Sequence, residues 1–399
     1  MLDFETARAQ LLAGHVCRLA DETVCLSESI GRVLAQPLAA RYPSPLFDNS
    51  AMDGYAVCDQ KGGLQEFTVV DRIMAGDLAE TPLQHGQAAR IFTGAALPPH
   101  TTSVVLQEDC HIDGDHLLVN SPIRSGQHMR MKAEEIAEGS ELLPQGFRLD
   151  AAAIGLAASQ GYHELPVYRK LRAVVFSSGN ELTEPGQALQ GSKIYDANRY
   201  QLVAWLRALN VAVKEGGILP DDLPQTEVAL KKAGQEYDII ITSGGASVGD
   251  ADYLKQALQN IGNLIEHSVA IKPGKPFSWG RVGNADVFVL PGNPVSAFVT
   301  ARILLRPVLN KLAGRCESDW LLPELEAKAD FSTAKAIKRR EFLRVRVEAG
   351  AEGGSIVRLL ANQGSAMLGT CVAANALCEV PPGVKVEKGD SVRVLLLPE

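Results

Sequence analysis

Apolar residues near the start of the chain recur at helical spacing, at Phe4, Ala7, Leu11 and Leu12. This spacing predicts a helix over 3–14, and similar patterns predict helices over 27–35 and 150–162. Between them, short β-rich runs separated by Gly and Pro clusters predict a small all-β domain over 42–140. The first part of that domain, 43–57, is dense in Pro, Asp, Asn, Ser and Gly, and predicts an irregular loop.

The segment 171–312 alternates buried strands with amphipathic helices. Four runs predict strands: RAVVF, VAVKEGGIL, DIIIT and ADVFVL. The helices predicted after them are YDANRYQLVAWLRALN, with Asp196 as N-cap, TEVALKKAGQEY, ADYLKQALQNI and VSAFVTARILLRPVL. An antiparallel pair is predicted before the last strand. The alternation predicts a parallel sheet covered by helices on both faces.

The chain is therefore predicted to be multidomain, of class α/β plus β. From about 320 the pattern predicts strands again, forming a small barrel or sandwich. The predicted domains are a discontinuous N-terminal linking domain (1–41 and 141–168), an inserted all-β domain (42–140), a three-layer α/β domain (169–312) and a C-terminal β-barrel-like domain (320–399).

Charge and composition exclude several classes of function. The 399 residues include 39 Lys and Arg against 47 Asp and Glu, so no overall basic field attracts nucleic acid or an anionic membrane. The first residues lack the pattern of a signal peptide and no apolar run is long enough to span a bilayer, so we expect a cytoplasmic protein. Seven cysteines without a CxxC pair indicate reduced, structural thiols.

Four loops carry the side chains best suited to chemistry, and each follows a predicted strand of the α/β domain. They span 177–181, 220–222, 243–250 and 291–296. In an open parallel sheet, ligands bind beyond the carboxyl ends of the strands. Gly-rich turns before helices offer N–H groups to phosphate, and the carboxylates suit Mg²⁺. Any one such loop is explained better by turn and N-cap residues, but four at one edge favour a ligand site.

Two further features narrow the chemistry. The loop SGGASVGD has no Gly-Lys-Ser/Thr and no GxGxxG, which disfavours an ordinary NTPase or NAD site. The loop Lys272-Pro273-Gly274-Lys275-Pro276 places two lysines between prolines. It suits an oxyanion or a phosphate, although a solvated turn is the plainer interpretation.

Seven motifs, in this order, resemble one known family: FDNSAMDGYAV, FTGAALPP, SSGNEL, IYDANRYQL, ITSGGASVGDADY, IKPGKPFSWG and LPGNPVSAFV. The chain resembles the MoeA family of molybdopterin molybdenumtransferases, which includes the E domain of gephyrin, over essentially its whole length. The resemblance implies an elongated homodimer of four-domain chains, with its cleft between the α/β domain of one subunit and β domains of the other. It also implies that adenylylated molybdopterin, bound with Mg²⁺, receives molybdate and that AMP is released.

The resemblance assigns roles to residues in the matching motifs. The candidate catalytic residues are Asp53, Thr93, Glu135, Glu181, Asp221 and Asp252. The candidate Mg²⁺ ligands among them are Glu181, Asp221 and Asp252. The candidate cofactor-binding residues are Ser178, Gly244, Gly245, Ser247, Lys272, Lys275, Pro276, Pro291, Gly292, Asn293, Ser296, Arg340 and Ser365. Within this set, the groups for the nucleotide phosphate are Gly244, Gly245 and Ser247, and those for molybdate are Lys272, Lys275, Ser296, Arg340 and Ser365.

The sequence departs from the family pattern at three sites. The usual Gly-Glu-Asp-Ile is Ala133-Glu134-Glu135-Ile136, Asn180 replaces an aspartate, and Ser268 replaces a frequent basic residue. These departures concern the efficiency or metal preference of the site.

Two other functions remain open at this stage. The departures keep a non-catalytic cofactor carrier or scaffold in view, and the shared SGG loop suggests a molybdopterin adenylyltransferase. The expected partners are a second copy of the chain, a molybdopterin adenylyltransferase and molybdoenzyme maturation factors, with no nucleic acid and no membrane.

Overall fold

The computed structural model describes residues 1–244, 253–350 and 353–398. Within these ranges the α-helices are α1 (Phe4–Gly14), α2 (Ala151–Ser159), α3 (Asn198–Ala208), α4 (Leu223–Glu236), α5 (Tyr253–Ile261), α6 (Pro294–Thr300), α7 (Arg306–Leu312) and α8 (Gly369–Ala373). The helices predicted over 3–14 and 150–162 are confirmed as α1 and α2. No helix in the described part of the chain is long and apolar enough to cross a membrane.

The strands up to residue 168 are β1 (Asp21–Cys25), β2 (Leu38–Ala39), β3 (Asn49–Ser50), β4 (Gly54–Val57), β5 (Glu66–Ile73), β6 (Gln87–Ile91), β7 (Ser103–Leu106), β8 (Cys110–Asp113), β9 (His116–Val119), β10 (Met129–Arg130), β11 (Glu141–Leu143) and β12 (Glu164–Tyr168). Those that follow are β13 (Arg172–Ser178), β14 (Leu182–Thr183), β15 (Ile194–Tyr195), β16 (Ala212–Leu219), β17 (Ile239–Ser243), β18 (Asn263–Ser268), β19 (Ile271–Lys272), β20 (Pro276–Val282), β21 (Ala285–Leu290), β22 (Glu324–Ala329), β23 (Arg340–Ala349), β24 (Ser355–Leu359), β25 (Ala376–Val380) and β26 (Ser391–Leu396).

The chain divides into two compact units. The smaller unit contains Pro37–Pro144 and Ala152–His163, and the larger unit contains Met1–Gln36, Gln145–Ala151 and Glu164–Glu399. The smaller unit is built on a six-stranded sheet in the order β7-β4-β6-β5-β9-β8. This sheet confirms that the inserted domain is built of β-strands. The exact boundaries of the four predicted domains stay a prediction.

The larger unit contains a six-stranded sheet in the order β16-β13-β17-β21-β20-β18. The first four strands are parallel to one another. β20 then runs antiparallel to β21, and β18 runs antiparallel to β20. Alternate residues of β13 enter different cores: Ala173 joins Leu206 of α3, whereas Val174 joins Leu230 of α4. The sheet is therefore buried on both faces, which confirms the predicted three-layer domain.

The C-terminal strands close into a five-stranded barrel. β23 pairs with both β24 and β25, and β22 and β26 complete the ring between them. The barrel core contains Leu343, Val345, Val357 and Val394. Phe4 of α1 makes an edge-on contact with Phe342 of β23 at 5.2 Å between ring centroids, so the first helix packs against the barrel.

The helix predicted over 27–35 is wrong. Only Leu26–Glu28 forms a single 3₁₀ turn. Gly31 then has a backbone φ of +71°, which a right-handed helix cannot contain, and Val33 and Leu34 form isolated β-bridges with other segments. The local pattern did not reveal these bridges because their partners are distant in sequence.

The irregular loop predicted over 43–57 contains two strands, β3 and β4. Gly54–Val57 is buried throughout and lies between β6 and β7 in the sheet. A Cβ atom on Gly54 would collide with the carbonyl of Val105, so glycine is needed for the close approach of the two strands. Turn-forming residues around this strand concealed it.

Two helix details also differ from the prediction. Ala197, and not Asp196, occupies the N-cap position of α3, although the Asp196 carboxylate accepts the Arg199 N–H at 3.1 Å. The long helix predicted after the PGNP loop is divided into α6 and α7 by a π-helical segment, Ala301–Leu305.

Candidate active site

The four parallel strands of the larger unit end at one edge of the sheet. β13, β16, β17 and β21 end at Ser178, Leu219, Ser243 and Leu290 and are paired in register there. The four predicted functional loops therefore begin at the same carboxyl edge, as the sequence indicated. Gly245, Ser247 and Asp252 lie outside the described residues.

A cavity of about 80 Å³ lies at this edge and is called the edge cavity. Its lining includes Ser178, Glu181, Ser243, Gly244 and Gly292. Glu181 is exposed, and the described residues make no ion pair with its carboxylate. The edge cavity thus combines hydroxyl groups, accessible backbone and one available carboxylate.

Gly244 gives the edge cavity its close backbone packing. Its φ is +93°, and a Cβ atom there would collide with the carbonyl of Ser178. A Cβ atom on Gly292 would lie 3.7 Å from the Gly244 Cα. Only glycine fits at residue 244, which keeps the backbone open to a ligand.

The first turn of α3 holds two of these loops together. The Asn198 side-chain amide donates to the Ser243 hydroxyl at 2.7 Å and to the Gly292 carbonyl at 2.6 Å. Below it, the Ser177 hydroxyl donates to the buried Asp196 carboxylate at 2.6 Å. Asp196 and Asn198 both belong to the IYDANRYQL motif, so this motif holds one wall of the edge cavity in place.

A larger cavity, of about 590 Å³, adjoins the loop at 291–296 and is called the cationic cavity. Its lining residues are Lys272, Pro273, Gly274, Lys275, Pro276, Asn293, Ser296, Arg339, Glu341, Arg344, Gln363, Gly364 and Ser365. It brings together six predicted binding residues: Lys272, Lys275, Pro276, Asn293, Ser296 and Ser365.

The loop at 291–296 separates the two cavities. Gly292 and Pro294 face the edge cavity, whereas Asn293 and Ser296 face the cationic cavity. Pro291, the first residue of the loop, is buried and lines neither cavity. The Val295 N–H donates to the Ser365 carbonyl at 3.0 Å, which ties this loop to the C-terminal segment. The two cavities therefore lie on either side of one short loop.

The cations of the cationic cavity differ in their partners. Lys272 Nζ lies 2.8 Å from Glu341 Oε1, so a protein carboxylate offsets its charge. Lys275 is exposed and forms no ion pair with the described residues. Arg344 is only 1% exposed, and its guanidinium donates to neutral oxygens of Thr370, Asn362 and Gly364.

Burial lowers the pKa of Arg344, although the nearby Cys371 and Glu341 oppose this effect. A buried guanidinium that has only neutral acceptors in its hydrogen bonds is stabilised by an anion in the adjoining space. Arg344 therefore makes the cationic cavity favourable for an anion.

The predicted metal ligands are only partly brought together. Glu181 lines the edge cavity, Asp221 is exposed outside its lining, and Asp252 is not described. In the described ranges, no three His, Cys, Asp or Glu side chains form a group that could hold a metal ion. Magnesium usually takes one or two carboxylates together with water and substrate phosphates, and the Glu181 carboxylate with neighbouring hydroxyls fits that pattern.

The smaller unit holds three predicted residues in two places. The backbone N–H and the hydroxyl of Thr93 donate to Asp53 Oδ1 at 2.7 and 2.8 Å. These two hydrogen bonds, with a weaker contribution from Arg90, lower the pKa of Asp53. Glu135 accepts a hydrogen bond from the Ser44 hydroxyl at 3.0 Å. Asp53 and Thr93 thus form a hydrogen-bonded pair, in which the Asp53 carboxylate is charged at neutral pH.

Three family models match the chain in succession. They are the MoeA N-terminal region, domains I and II, over residues 2–161, the probable molybdopterin binding domain over 174–311, and the MoeA C-terminal region, domain IV, over 326–397. A molybdopterin molybdenumtransferase from Haemophilus influenzae is 36% identical over 380 residues, covering 94% of this chain and 93% of its own. The chain belongs to the MoeA family of molybdopterin molybdenumtransferases.

Other relatives also match this chain over nearly its whole length. Molybdopterin molybdenumtransferase 2 from Mycobacterium tuberculosis is 34% identical over 385 residues, covering 93% of this chain and 94% of its own. The crystal structure of a molybdopterin biosynthesis moeA protein from Pyrococcus horikoshii superposes with a TM-score of 0.86 at 27% identity, over 100% of both chains. The predicted family and the multidomain α/β plus β fold are confirmed.

The structure also shows where Arg340, predicted from the MoeA resemblance, lies. Its guanidinium pairs with Glu379 and, at 3.1 Å, with Glu5, away from the cationic cavity. Arg339 and Arg344 line the cavity instead. All three arginines lie within the run RREFLR, and the resemblance indicated only Arg340.

Proposed function

We propose that this chain binds adenylylated molybdopterin with Mg²⁺, inserts molybdate into its dithiolene, and releases AMP. The observation that carries the proposal is the pairing of a phosphate-type cavity with a cationic cavity across the loop at 291–296. Family membership supplies the reaction type, since the relatives are molybdopterin molybdenumtransferases.

The edge cavity suits the phosphate part of the substrate. Gly244 and Gly292 leave their backbone open there, and Ser178 supplies a hydroxyl. Glu181 would hold Mg²⁺ together with substrate phosphate oxygens, and the ion would supply neutralisation of the phosphoanhydride charge. Asn198 holds the loops at Ser243 and Gly292 in place, so that their backbone can position the phosphates.

The cationic cavity suits molybdate, a tetrahedral dianion. Lys275 and Arg344 have no carboxylate in an ion pair among the described residues, and Ser296 and Ser365 add polar groups to the lining. Charge-assisted hydrogen bonds to such cations are the strong ones. The separation of the two cavities by one loop puts an oxyanion next to a phosphate-bearing ligand without forcing the two anions into one site.

The reaction balances in two steps. In the first, two Mo–S bonds form, one Mo–O bond breaks, and the oxide leaves with the two thiol protons as water. In the second, one water adds across the phosphoanhydride, whose P–O bond breaks to give AMP and the molybdenum-bearing molybdopterin with its own terminal phosphate. One water is released and one is consumed, and no electrons are transferred.

The test is a binding and turnover experiment on the purified protein. Adenylylated molybdopterin and Mg²⁺ are supplied with and without molybdate, and free AMP is measured by chromatography. We expect the substrate to bind in both cases and AMP release to depend on molybdate.

Other results would favour the other functions. Tight substrate binding without AMP release under any condition would contradict the proposal and indicate a carrier or scaffold. Formation of the adenylylated substrate from ATP and free molybdopterin would indicate an adenylyltransferase.

A further inference from the structure

A second cavity with a strongly basic lining lies at the opposite edge of the parallel sheet. It has a volume of about 40 Å³ and is lined by Leu171 and Val211, which directly precede β13 and β16. Five basic residues also line it: Arg32, Arg148, Arg169, Lys170 and Arg315. This cavity is called the arginine pocket, and all of its lining belongs to the larger unit.

The lining of the arginine pocket contains no acidic residue. This is unusual in a chain of formal net charge −8. Arg32 and Arg315 are largely buried, with side chains 6% and 13% exposed. Burying like charges side by side is unfavourable unless opposite charge is supplied.

Carboxylates outside the lining offset part of this charge. Arg32 pairs with Glu22, Arg169 with Asp238 at 2.7 Å, and Arg315 with Asp319 at 3.4 Å. Neither Arg148 nor the Lys170 ammonium has a hydrogen-bond or ion-pair partner among the described residues. Both side chains are exposed, so their charges are accessible to an anion that enters the pocket from solvent.

Arg315 shows the cost of this crowding. Burial lowers its pKa, and although Asp319 opposes the effect, the neighbouring Arg148 and Arg306 lower it further. Its Nε is buried without a hydrogen-bond partner in the described structure. An anion between these guanidinium groups would relieve the repulsion.

The side chains of Asn210 and Arg148 lie close together beside Gly31 at the pocket. A Cβ atom placed on Gly31 would lie 3.2 Å from the Asn210 side-chain nitrogen and 3.6 Å from Arg148 Nη2. Gly31 and Asn210 both have positive φ, of +71° and +64°. The absence of a side chain at Gly31 leaves room for these two side chains, and the Asn210 amide also donates to the Ile30 carbonyl at 3.5 Å.

Two simpler explanations account for only part of the charge. The carboxyl ends of α3 and α7 lie at the pocket, and each carries about half a negative charge. That does not match the charges of Arg148 and Lys170 together with the buried guanidinium groups. A neighbouring cavity of about 60 Å³ also contains Arg169, but Asp238 and Asp286 line it and neutralise its arginines. The arginine pocket lacks such residues.

We propose that the arginine pocket binds a small tetrahedral oxyanion of the phosphate class, at a site separate from the cavities at the carboxyl edge. The bound anion would link Arg32 and Arg148, from the N-terminal segments of the larger unit, to Arg315 after α7. It would therefore stabilise the packing of these segments on the α/β domain without taking part in the reaction.

The experiment titrates inorganic phosphate into the full-length protein by calorimetry, at constant ionic strength set with NaCl. Each protein also carries Lys275→Ala, which weakens phosphate binding in the cationic cavity. Against this background, Arg148→Ala is compared with Arg346→Ala, which removes another exposed arginine, one that pairs with Glu348 on the barrel and lies outside the arginine pocket. Arg148 has no partner to lose, so its replacement leaves the fold intact.

We expect Arg148→Ala to weaken phosphate binding by about tenfold or more, the size expected for one charge-assisted hydrogen bond, and Arg346→Ala to leave it unchanged. Phosphate should raise the melting temperature of the Arg346→Ala protein more than that of the Arg148→Ala protein. Glycerol phosphate is titrated in parallel; tighter binding than phosphate would assign the site to the phosphate group of a larger molecule. Equal phosphate affinity in the two variants, or no binding in either, would overturn the proposal.

Discussion

Ala133 occupies a backbone conformation that favours glycine. Its φ is +62°, and the segment around it carries Glu135, which accepts a hydrogen bond from Ser44. The left-handed conformation costs an alanine about 1–2 kcal/mol, whereas glycine adopts it freely. Alanine at this position therefore has a cost in the folded state.

We predict that Ala133→Gly stabilises the protein by up to about 1 kcal/mol, after the larger loss of unfolded-chain entropy for glycine is subtracted. The measurement is the urea midpoint of unfolding. Ala137→Gly is the matched control, because Ala137 lies in the same segment without a positive φ. It should lower the midpoint. A lower midpoint for Ala133→Gly as well would show that the strain is absent.

Lys275 is the exposed cation of the cationic cavity that has no carboxylate partner among the described residues. We predict that Lys275→Ala raises the half-saturating molybdate concentration about tenfold or more, because one charge-assisted hydrogen bond to the oxyanion is lost. The affinity for adenylylated molybdopterin should change less than twofold. Lys335→Ala, at an exposed lysine outside this cavity, is the control. An equal loss for both ligands would assign Lys275 to the phosphate.

At the scale of one element, the two adjacent aspartates of the loop before α4 differ in their contacts. The Asp222 carboxylate accepts the Gln225 N–H at 2.8 Å and caps α4, whereas Asp221 is exposed without such a contact. Two adjacent aspartates thus have different expected roles at the same strand end.

We predict that Asp222→Ala lowers the stability by about 1 kcal/mol, as is typical for the loss of an N-cap, and leaves turnover nearly unchanged. Asp221→Asn should do the opposite, reducing AMP release while the melting temperature stays the same. Thermal unfolding and turnover are measured on both variants. Loss of turnover in Asp222→Ala alone would reverse the two assignments.

Asp238 links the start of β17 to the segment before β13. Burial would raise its pKa, but hydrogen bonds from the Arg169 guanidinium and the Arg172 N–H outweigh burial, so the pKa lies below the ordinary value of 3.8. Because the folded pKa is depressed, this ion pair stabilises the fold above the unfolded pKa. The contribution is lost as the pH falls through the folded pKa.

We therefore predict that Asp238→Asn lowers the melting temperature at pH 5–6 and that its curve approaches that of the parent protein below about pH 3.8. Melting temperatures between about pH 2 and pH 6 test this. A constant difference across the range would mean that Asp238 acts through packing and not through its charge.

At the scale of the whole molecule, the sequence predicted the parallel sheet and the edge that carries the loops. Strand and helix periods are local signals, and parallel strands necessarily end together. The position of Arg344 was not predictable, because residues within one strand differ in environment only through its register with β24 and β25. The role of Asn198 in joining two loops was hidden for the same reason, since Gly292 is distant in sequence. Local patterns locate the site, whereas long-range pairing selects its residues.

The most direct test of the central claim is the stoichiometry of a single turnover. Protein in excess over adenylylated molybdopterin is mixed with Mg²⁺ and molybdate, and both the AMP released and the molybdenum held by the pterin product are counted. The account predicts one molybdenum incorporated for each AMP released, and little AMP without molybdate. AMP released at the same rate without molybdate, or without molybdenum in the product, would contradict it.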